Sequence, residues 1–67
     1  MARGFASEAE RHFRRALELQ PDLDSAAIGV ARALMLQGDR ESARRSLREM
    51  WRRFPSPEVR MMLKELG

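Results

Sequence analysis

The sequence repeats itself at an interval of 34 residues, and this interval constrains the fold more than any other feature. When residues 4–21 are set beside residues 38–55, five of the 18 paired positions are identical. The identical pairs are Gly4/Gly38, Ala9/Ala43, Arg11/Arg45, Arg14/Arg48 and Pro21/Pro55. Glycine and proline are residues that end helices, and alanine allows close packing. A repeat of this length is typical of arrays in which each unit packs against its neighbours.

Helix-forming residues fill the chain between short breaks. Ala, Leu, Arg, Glu and Met dominate, whereas residues that prefer strands are few. Breaks are indicated at Gly4, at residues 20–22, at Gly38 and at residues 54–57. The pattern therefore predicts four helices, over about residues 6–19, 24–37, 40–53 and 57–66. Connections this short make neighbouring helices antiparallel, so the predicted fold is all-α, a single domain (1–67) built as an antiparallel array of helical hairpins.

Polar residues at the predicted helix starts suggest caps. Ser7 with Glu10 three residues later has the spacing of a capping box. Asp22 or Asp24 is the expected cap of the second helix, and Gly38 its expected stop. The third and fourth helices are expected to begin after Asp39 and Ser56, the latter with a proline in the first helical position.

The small size of the chain indicates that its fold needs additional stabilisation. A chain of 67 residues buries a small core and has marginal stability on its own. Small domains usually add disulfides, a metal or a partner subunit, and this chain contains no cysteine and one histidine. The composition thus predicts no metal site and favours either very good helix packing or self-association.

Several classes of function are excluded or disfavoured by the composition. No apolar run has the length of a membrane span, and no secretory signal is visible. The four glycines are scattered and form no phosphate-binding loop, so no cofactor is expected. His12 lacks a nucleophile beside it, and the serines suit caps or solvent positions, so we expect no enzyme. The absence of cysteine fits a reducing compartment and weakly favours the cytoplasm.

The repeated positions resemble those of the tetratricopeptide repeat, a helix-turn-helix unit of 34 residues. Gly38 and Asp39 stand at the turn of the unit, and Pro55 at its terminating proline. The inward positions are matched by Ala27, Val30, Ala31 and Leu34 in the first helix of the unit and by Ala43, Leu47 and Met50 in the second. The chain accordingly corresponds to the second helix of one repeat, then one full repeat over about 24–57, and then the first helix of another repeat. Together these make about two repeats' worth of helices.

The resemblance implies an interaction or assembly scaffold with a protein or peptide partner. In tetratricopeptide arrays the first helices of successive repeats line a concave surface. We therefore expect a partner-binding groove at six positions: Ser25, Ile28, Arg32, Met35, Val59 and Met62. The alternative interpretation is that the second helix, which is apolar on nearly all sides, is simply buried on nearly all sides.

The ends of the chain also depart from a regular array. Lys64 and Glu65 make the fourth helix resemble a polar cap. The chain starts halfway through a repeat, which predicts a fragment of a larger array, an engineered piece, or a chain completed by pairing. A designed or excised fragment without its own activity thus stays an alternative. Phe5, Ala9 and Phe13 are expected to be partly uncovered, which predicts a homodimer or a higher assembly.

The third helix carries an arginine stripe at four-residue intervals. Its members are Arg40, Arg44, Arg48 and Arg52, with Arg45 and Arg53 nearby. Like charges at this spacing repel, and Glu41–Arg45 and Glu49–Arg53 pairs are expected to offset the repulsion. The stripe suggests, as an alternative function, binding of nucleic acid or an acidic partner. The simpler interpretation is a solvated helix face. Trp51 and the Met61–Met62 pair are expected in the core, with one methionine exposed.

Overall fold

The computed structural model describes residues 2–66, and all four predicted helices are present in that range. Helix α1 spans Ala2–Leu19, α2 Asp24–Leu36, α3 Arg40–Arg53 and α4 Pro57–Leu66. Between residues 2 and 66 there is no strand, so the all-α prediction is confirmed. The bounds of α3 and α4 are those expected from the sequence, and α2 ends one residue earlier than expected.

The start of α1 differs most from the prediction. Gly4, expected to be a break, and Ser7, expected to be a cap, both lie inside the helix. An isolated glycine costs a helix only about 1 kcal/mol relative to alanine, so the helix continues through Gly4. Gly4 and Gly38 therefore match in sequence but not in conformation. Residue 1, next to this start, lies outside the described range.

The turn between α2 and α3 is formed by the residues expected from the sequence, Gly38 and Asp39. Gly38 has a φ of 83°, a left-handed conformation that glycine adopts without strain. Its N–H donates to the carbonyl of Met35, and the N–H of Asp39 donates to that of Leu34, both at 2.9 Å. This pair of bonds is a Schellman motif, which satisfies carbonyl groups at the end of the helix. The side chain of Asp39 then caps α3 by accepting from the N–H of Ser42 at 3.1 Å.

The two remaining caps differ from each other. The hydroxyl of Ser56 accepts from the N–H of Val59 at 3.2 Å, so the expected cap of α4 is confirmed. At the start of α2 the cap position is occupied by Leu23, which makes no side-chain bond. The expectation that Asp22 or Asp24 caps this helix is wrong, because Asp24 is already the first helical residue.

Helix α2 lies at the centre of the molecule and packs against α1, α3 and α4. The core joins α2 to α3 and α4. Its members are Ala27, Val30, Ala31, Leu34, Ala43, Leu47, Met50, Val59, Met62 and Leu66. Ala31 and Ala43 are fully buried, and the lack of bulk at both positions allows the helices to approach closely.

Within residues 2–66, helix α1 packs on α2, and its backbone does not come close to that of α3 or α4. Its buried anchor is Ala6, and Leu17 packs against the edge of the core. The four helices form a slab of 33 × 29 × 14 Å. Because the molecule is this thin, α1, α3 and α4 each keep many exposed residues, whereas α2 exposes only Ser25, Arg32 and Leu36.

Candidate interaction surfaces

One side of α1 carries two exposed aromatic side chains. Phe5 is 72% exposed and Phe13 36%, with Ala9 half-buried between them. The three residues follow one another at intervals of four, so they lie on one side of the helix. The structure thus places them where the sequence indicated. Exposed aromatics in a row of this kind are uncommon on a surface that faces only water.

Phe13 contacts α2, and this contact was not predicted from the sequence. Its ring lies on the backbone of Gly29 in α2, so closely that a Cβ at Gly29 would come within 2.6–2.7 Å of three ring atoms. The signal available in the sequence was a glycine in the middle of a helix, which often marks a close approach. The contact holds the ring in one position, with its outer part exposed.

A polar cluster, also missed from the sequence, joins α1 to the end of α2. Gln37 donates from Nε2 to Glu10 Oε1 at 2.9 Å and to the Ala33 carbonyl at 3.1 Å. Its Oε1 accepts from the Ser7 hydroxyl at 3.3 Å. Glu10 also accepts from Nε of Arg14 at 2.7 Å. The bond from Gln37, and then that from Arg14, lowers the pKa of Glu10. Ser7 and Glu10 thus bind a neighbouring helix and form no capping box.

Only part of the groove expected on α2 lies at the surface. Ser25 and Arg32 are exposed, and Ile28 and Met35 are half-buried with their inner sides against the core. The two positions expected from α4 are different. Val59 is fully buried and Met62 is 7% exposed, because the apolar stripe of α4 faces the core. The expectation that these two line an open groove is corrected, and the four positions on α2 remain a candidate surface.

The arginine stripe of α3 is divided into two halves. Arg40 donates from Nη2 to the carbonyl of Leu66 at 3.4 Å, at the end of α4. Arg44 is half-buried, and its Nε is buried without a hydrogen-bond partner in the described structure. Arg48 and Arg52 are exposed. A guanidinium beside the last carbonyls of a helix complements the helix dipole, so Arg40 has a structural use.

The intrahelical ion pairs expected on α3 do not form. Across residues 2–66 the ion pairs are Glu10–Arg14 at 2.7 Å and Arg15–Glu18 at 3.7 Å. Neither Arg45 nor Arg53 therefore forms an ion pair within this part of the chain. The cations on α3 remain available to a partner.

An apolar hollow lies at the junction of α3 and α4. Its lining includes Trp51, Pro57, Arg60 and Met61. Trp51 is 37% exposed and Met61 67%. The expectation that Trp51 belongs to the core is wrong, because its position on α3 turns it toward this edge. The expectation that one of the two neighbouring methionines is exposed is confirmed.

Within residues 2–66, no three His, Asp or Glu side chains lie close enough together to hold a metal ion. His12 is exposed on α1. No helix in the same range is long and apolar enough to cross a membrane.

Comparison with known protein families identifies a family for this chain. A family model described as tetratricopeptide repeat matches residues 1–66. Comparisons with the curated proteins and with the solved structures give no significant match.

Proposed function

Because the chain belongs to the tetratricopeptide repeat family, whose members generally act as protein–protein interaction modules, we propose that it is a non-catalytic interaction module that associates with copies of itself. The observation that carries the proposal is the exposed aromatic face of α1, made of Phe5, Ala9 and Phe13. In stacked repeats each unit buries such a face against its neighbour. Helix α1 packs on α2, and no helix within residues 2–66 covers the exposed parts of Phe5 and Phe13.

The energy available from this face is considerable for a small protein. Fully burying a phenylalanine side chain contributes about 1.5–3 kcal/mol, and Phe5 leaves 72% of its surface to be covered. In a symmetric dimer each contact occurs twice, because the same patch is used on both subunits. Covering the face on both copies would therefore support a dimer and also stabilise the fold, since a bound partner favours the folded state.

Two matched substitutions test the proposal. Phe5→Asp places a charge in the proposed interface, whereas Met61→Asp places one on an equally exposed apolar residue of α4. We expect Phe5→Asp to weaken dimerisation by roughly a hundredfold or more, because the dimer loses the burial of two phenylalanine side chains, one from each copy. Met61→Asp should leave the association unchanged. Sedimentation velocity measures both, and circular dichroism checks that each variant is helical. Equal effects of the two substitutions would refute the assignment to α1.

A peptide partner is proposed for the exposed part of α2, at Ser25, Ile28, Arg32 and Met35. Ile28 and Met35 offer apolar contact, and Arg32 offers a cation for a carboxylate. Methionine adapts to partners of different shape. Isothermal titration of candidate peptides against Ile28→Asp, with Leu36→Asp as a control, tests it. Loss of binding in Leu36→Asp alone would place the site elsewhere.

A second candidate function is the binding of nucleic acid by the exposed half of the stripe. The observation that favours it is that Arg48 and Arg52 are exposed without an ion pair in residues 2–66. Binding that rests on phosphates weakens steeply with salt. We expect Arg48→Glu with Arg52→Glu to abolish binding to a single-stranded oligonucleotide in a fluorescence polarisation assay. Binding that persists in this variant, or that is insensitive to salt, would exclude the stripe.

A further inference from the structure

A groove runs between α1 and α3, on the side of the molecule away from Ser25 and Arg32. It exists because these two helices both pack on α2 while their backbones stay apart. The main hollow has a volume of about 300 Å³, and a smaller one of about 210 Å³ adjoins it. Arg14, Ser46 and Glu49 line both hollows, which makes them one continuous surface.

The floor of the groove is apolar. Leu17 comes from α1, Val30 from α2, and Met50 and Phe54 from α3 and its end. Leu17 and Phe54 are half-buried, so part of each side chain is open to an occupant. A hollow of this volume lies at the small end of the range for binding pockets and suits one large apolar side chain.

The rim of the groove is cationic. Arg14, Arg45 and Arg53 line it together with a single carboxylate, Glu49. Arg45 and Arg53 each lie one helical turn from Glu49, yet neither forms an ion pair with it. Arg14, on the α1 side, is paired with Glu10, so the unpaired positive charge of the rim lies on α3, at Arg45 and Arg53. This charge beside an apolar floor favours an anionic partner.

The spacing of the cations favours a peptide over a compact anion. Arg45 and Arg53 are eight residues apart on α3, which corresponds to about 12 Å along the helix. Glu49 lies midway between them, so a single anion placed to contact both would lie beside this carboxylate. A peptide with acidic residues before and after an apolar one can reach both and fill the floor between them.

We propose that the groove between α1 and α3 is a docking site for an acidic segment of a partner protein, in which carboxylates flank one large apolar side chain. The site deepens the proposed function as an interaction module, but it uses neither the aromatic face of α1 nor the surface at Ile28. An acidic peptide bound there leaves the aromatic face free for a second copy.

The test uses the whole chain and a defined probe, the peptide Glu-Glu-Asp-Ala-Phe-Asp-Glu-Glu with blocked ends, in which carboxylates flank one large apolar side chain. A control peptide has glutamine in place of every acidic residue. Titration followed by nuclear magnetic resonance should shift the methyl signals of Leu17, Val30 and Met50. We expect the control peptide to bind at least about tenfold more weakly, because it lacks the charges that the rim attracts.

Two charge reversals on α3 provide a matched pair of variants. The double variant Arg45→Glu with Arg53→Glu reverses the charge of the rim on α3. Arg48→Glu with Arg52→Glu makes the same change in net charge at residues that line neither hollow. The rim variant should lose at least about tenfold in affinity for the acidic peptide, and the other should change it less than about threefold. Circular dichroism confirms that both variants remain helical.

Three results would overturn the proposal. The first is no binding of the acidic peptide at millimolar concentration, and the second is an equal loss in both variants, which would indicate general attraction by a basic chain. The third is a change in molar mass of the rim variant alone, which would make a second copy of the chain the occupant. Self-association through Phe5 is measured without the peptide, so a failure here is distinguishable from a failure of the proposed dimer.

Discussion

Replacement of Gly29 by alanine gives a prediction whose sign depends on one other residue. The new Cβ would lie 2.6–2.7 Å from three ring atoms of Phe13, a distance at which something must move. Overpacking of this kind costs about 1–3 kcal/mol. Alanine in a helix is favoured over glycine by about 1 kcal/mol. With Phe13 present, Gly29→Ala should therefore destabilise the protein by up to about 2 kcal/mol.

The same substitution should act in the opposite direction once the ring is removed. In a Phe13→Ala background the clash is absent, and only the gain in helix propensity remains. Gly29→Ala should then stabilise the protein by up to about 1 kcal/mol. The double-mutant cycle would give a coupling of about 1–3 kcal/mol, which is in the range measured for residues in contact.

Urea denaturation followed by circular dichroism measures the four proteins of this cycle. They must be compared at one protein concentration, because self-association raises the apparent stability. Gly4→Ala is the control, since a Cβ at Gly4 meets no atom within 4 Å and should stabilise α1 with either residue at position 13. If Gly29→Ala stabilises the protein equally with and without the ring, the contact between Phe13 and Gly29 does not constrain the fold as described.

Three further substitutions or conditions have expected outcomes. Leu47→Ala removes a fully buried side chain and should cost about 2–5 kcal/mol in urea denaturation, enough to unfold much of a small domain; a loss below about 1 kcal/mol would contradict the described core. Gly38→Ala meets no atom but must adopt a φ of 83°, so thermal unfolding should show a loss of about 1 kcal/mol, and no loss would contradict the Schellman turn. Hydrogen bonding to Ser42 lowers the pKa of Asp39, and bonds from Gln37 and Arg14 lower that of Glu10. Because both folded-state pKa values are lowered, the stabilisation is present above the ordinary carboxyl range and is lost as the pH falls through the folded values. Melting temperatures should therefore drop on acidification, and less so in Asp39→Asn; an unchanged slope in this variant would exclude Asp39 as a source.

Local signals in the sequence predicted the helices where a strong terminator was present. Asp39 and Pro57 fixed the starts of α3 and α4, because a cap and a proline act on the nearest turn of helix. At Gly4 the local signal failed. A lone glycine weakens a helix by less than neighbouring helical residues stabilise it, and only the conformation shows whether it is a turn or an interior residue.

The candidate surfaces were predicted less completely than the helices, because they depend on contacts between segments far apart in sequence. The exposure of Phe5 followed from the absence of a covering helix in the repeat pattern. The burial of Val59 and Met62 did not, since the spacing of apolar residues gives the stripe of α4 but not the direction it faces. The contact of Phe13 with Gly29 depends on how deeply one ring enters another helix.

The groove between α1 and α3 could not be predicted for a related reason. It is a gap between two helices that both pack on α2 while their backbones stay apart, and no residue pattern marks such a gap. Its two cations on α3, Arg45 and Arg53, were visible in the sequence, but their spacing predicted intrahelical ion pairs with Glu41 and Glu49. The structure leaves those pairs unformed in residues 2–66, and the charges thereby become part of a surface.

The central claim is that the aromatic face of α1 joins copies of this chain. The most direct test is sedimentation equilibrium of the unmodified protein over a wide range of concentration. We predict a molar mass that rises from 7.8 kDa, the mass of one chain, toward twice that mass as concentration increases. A mass that stays at one chain throughout the range, with all four helices folded by circular dichroism, would contradict the claim.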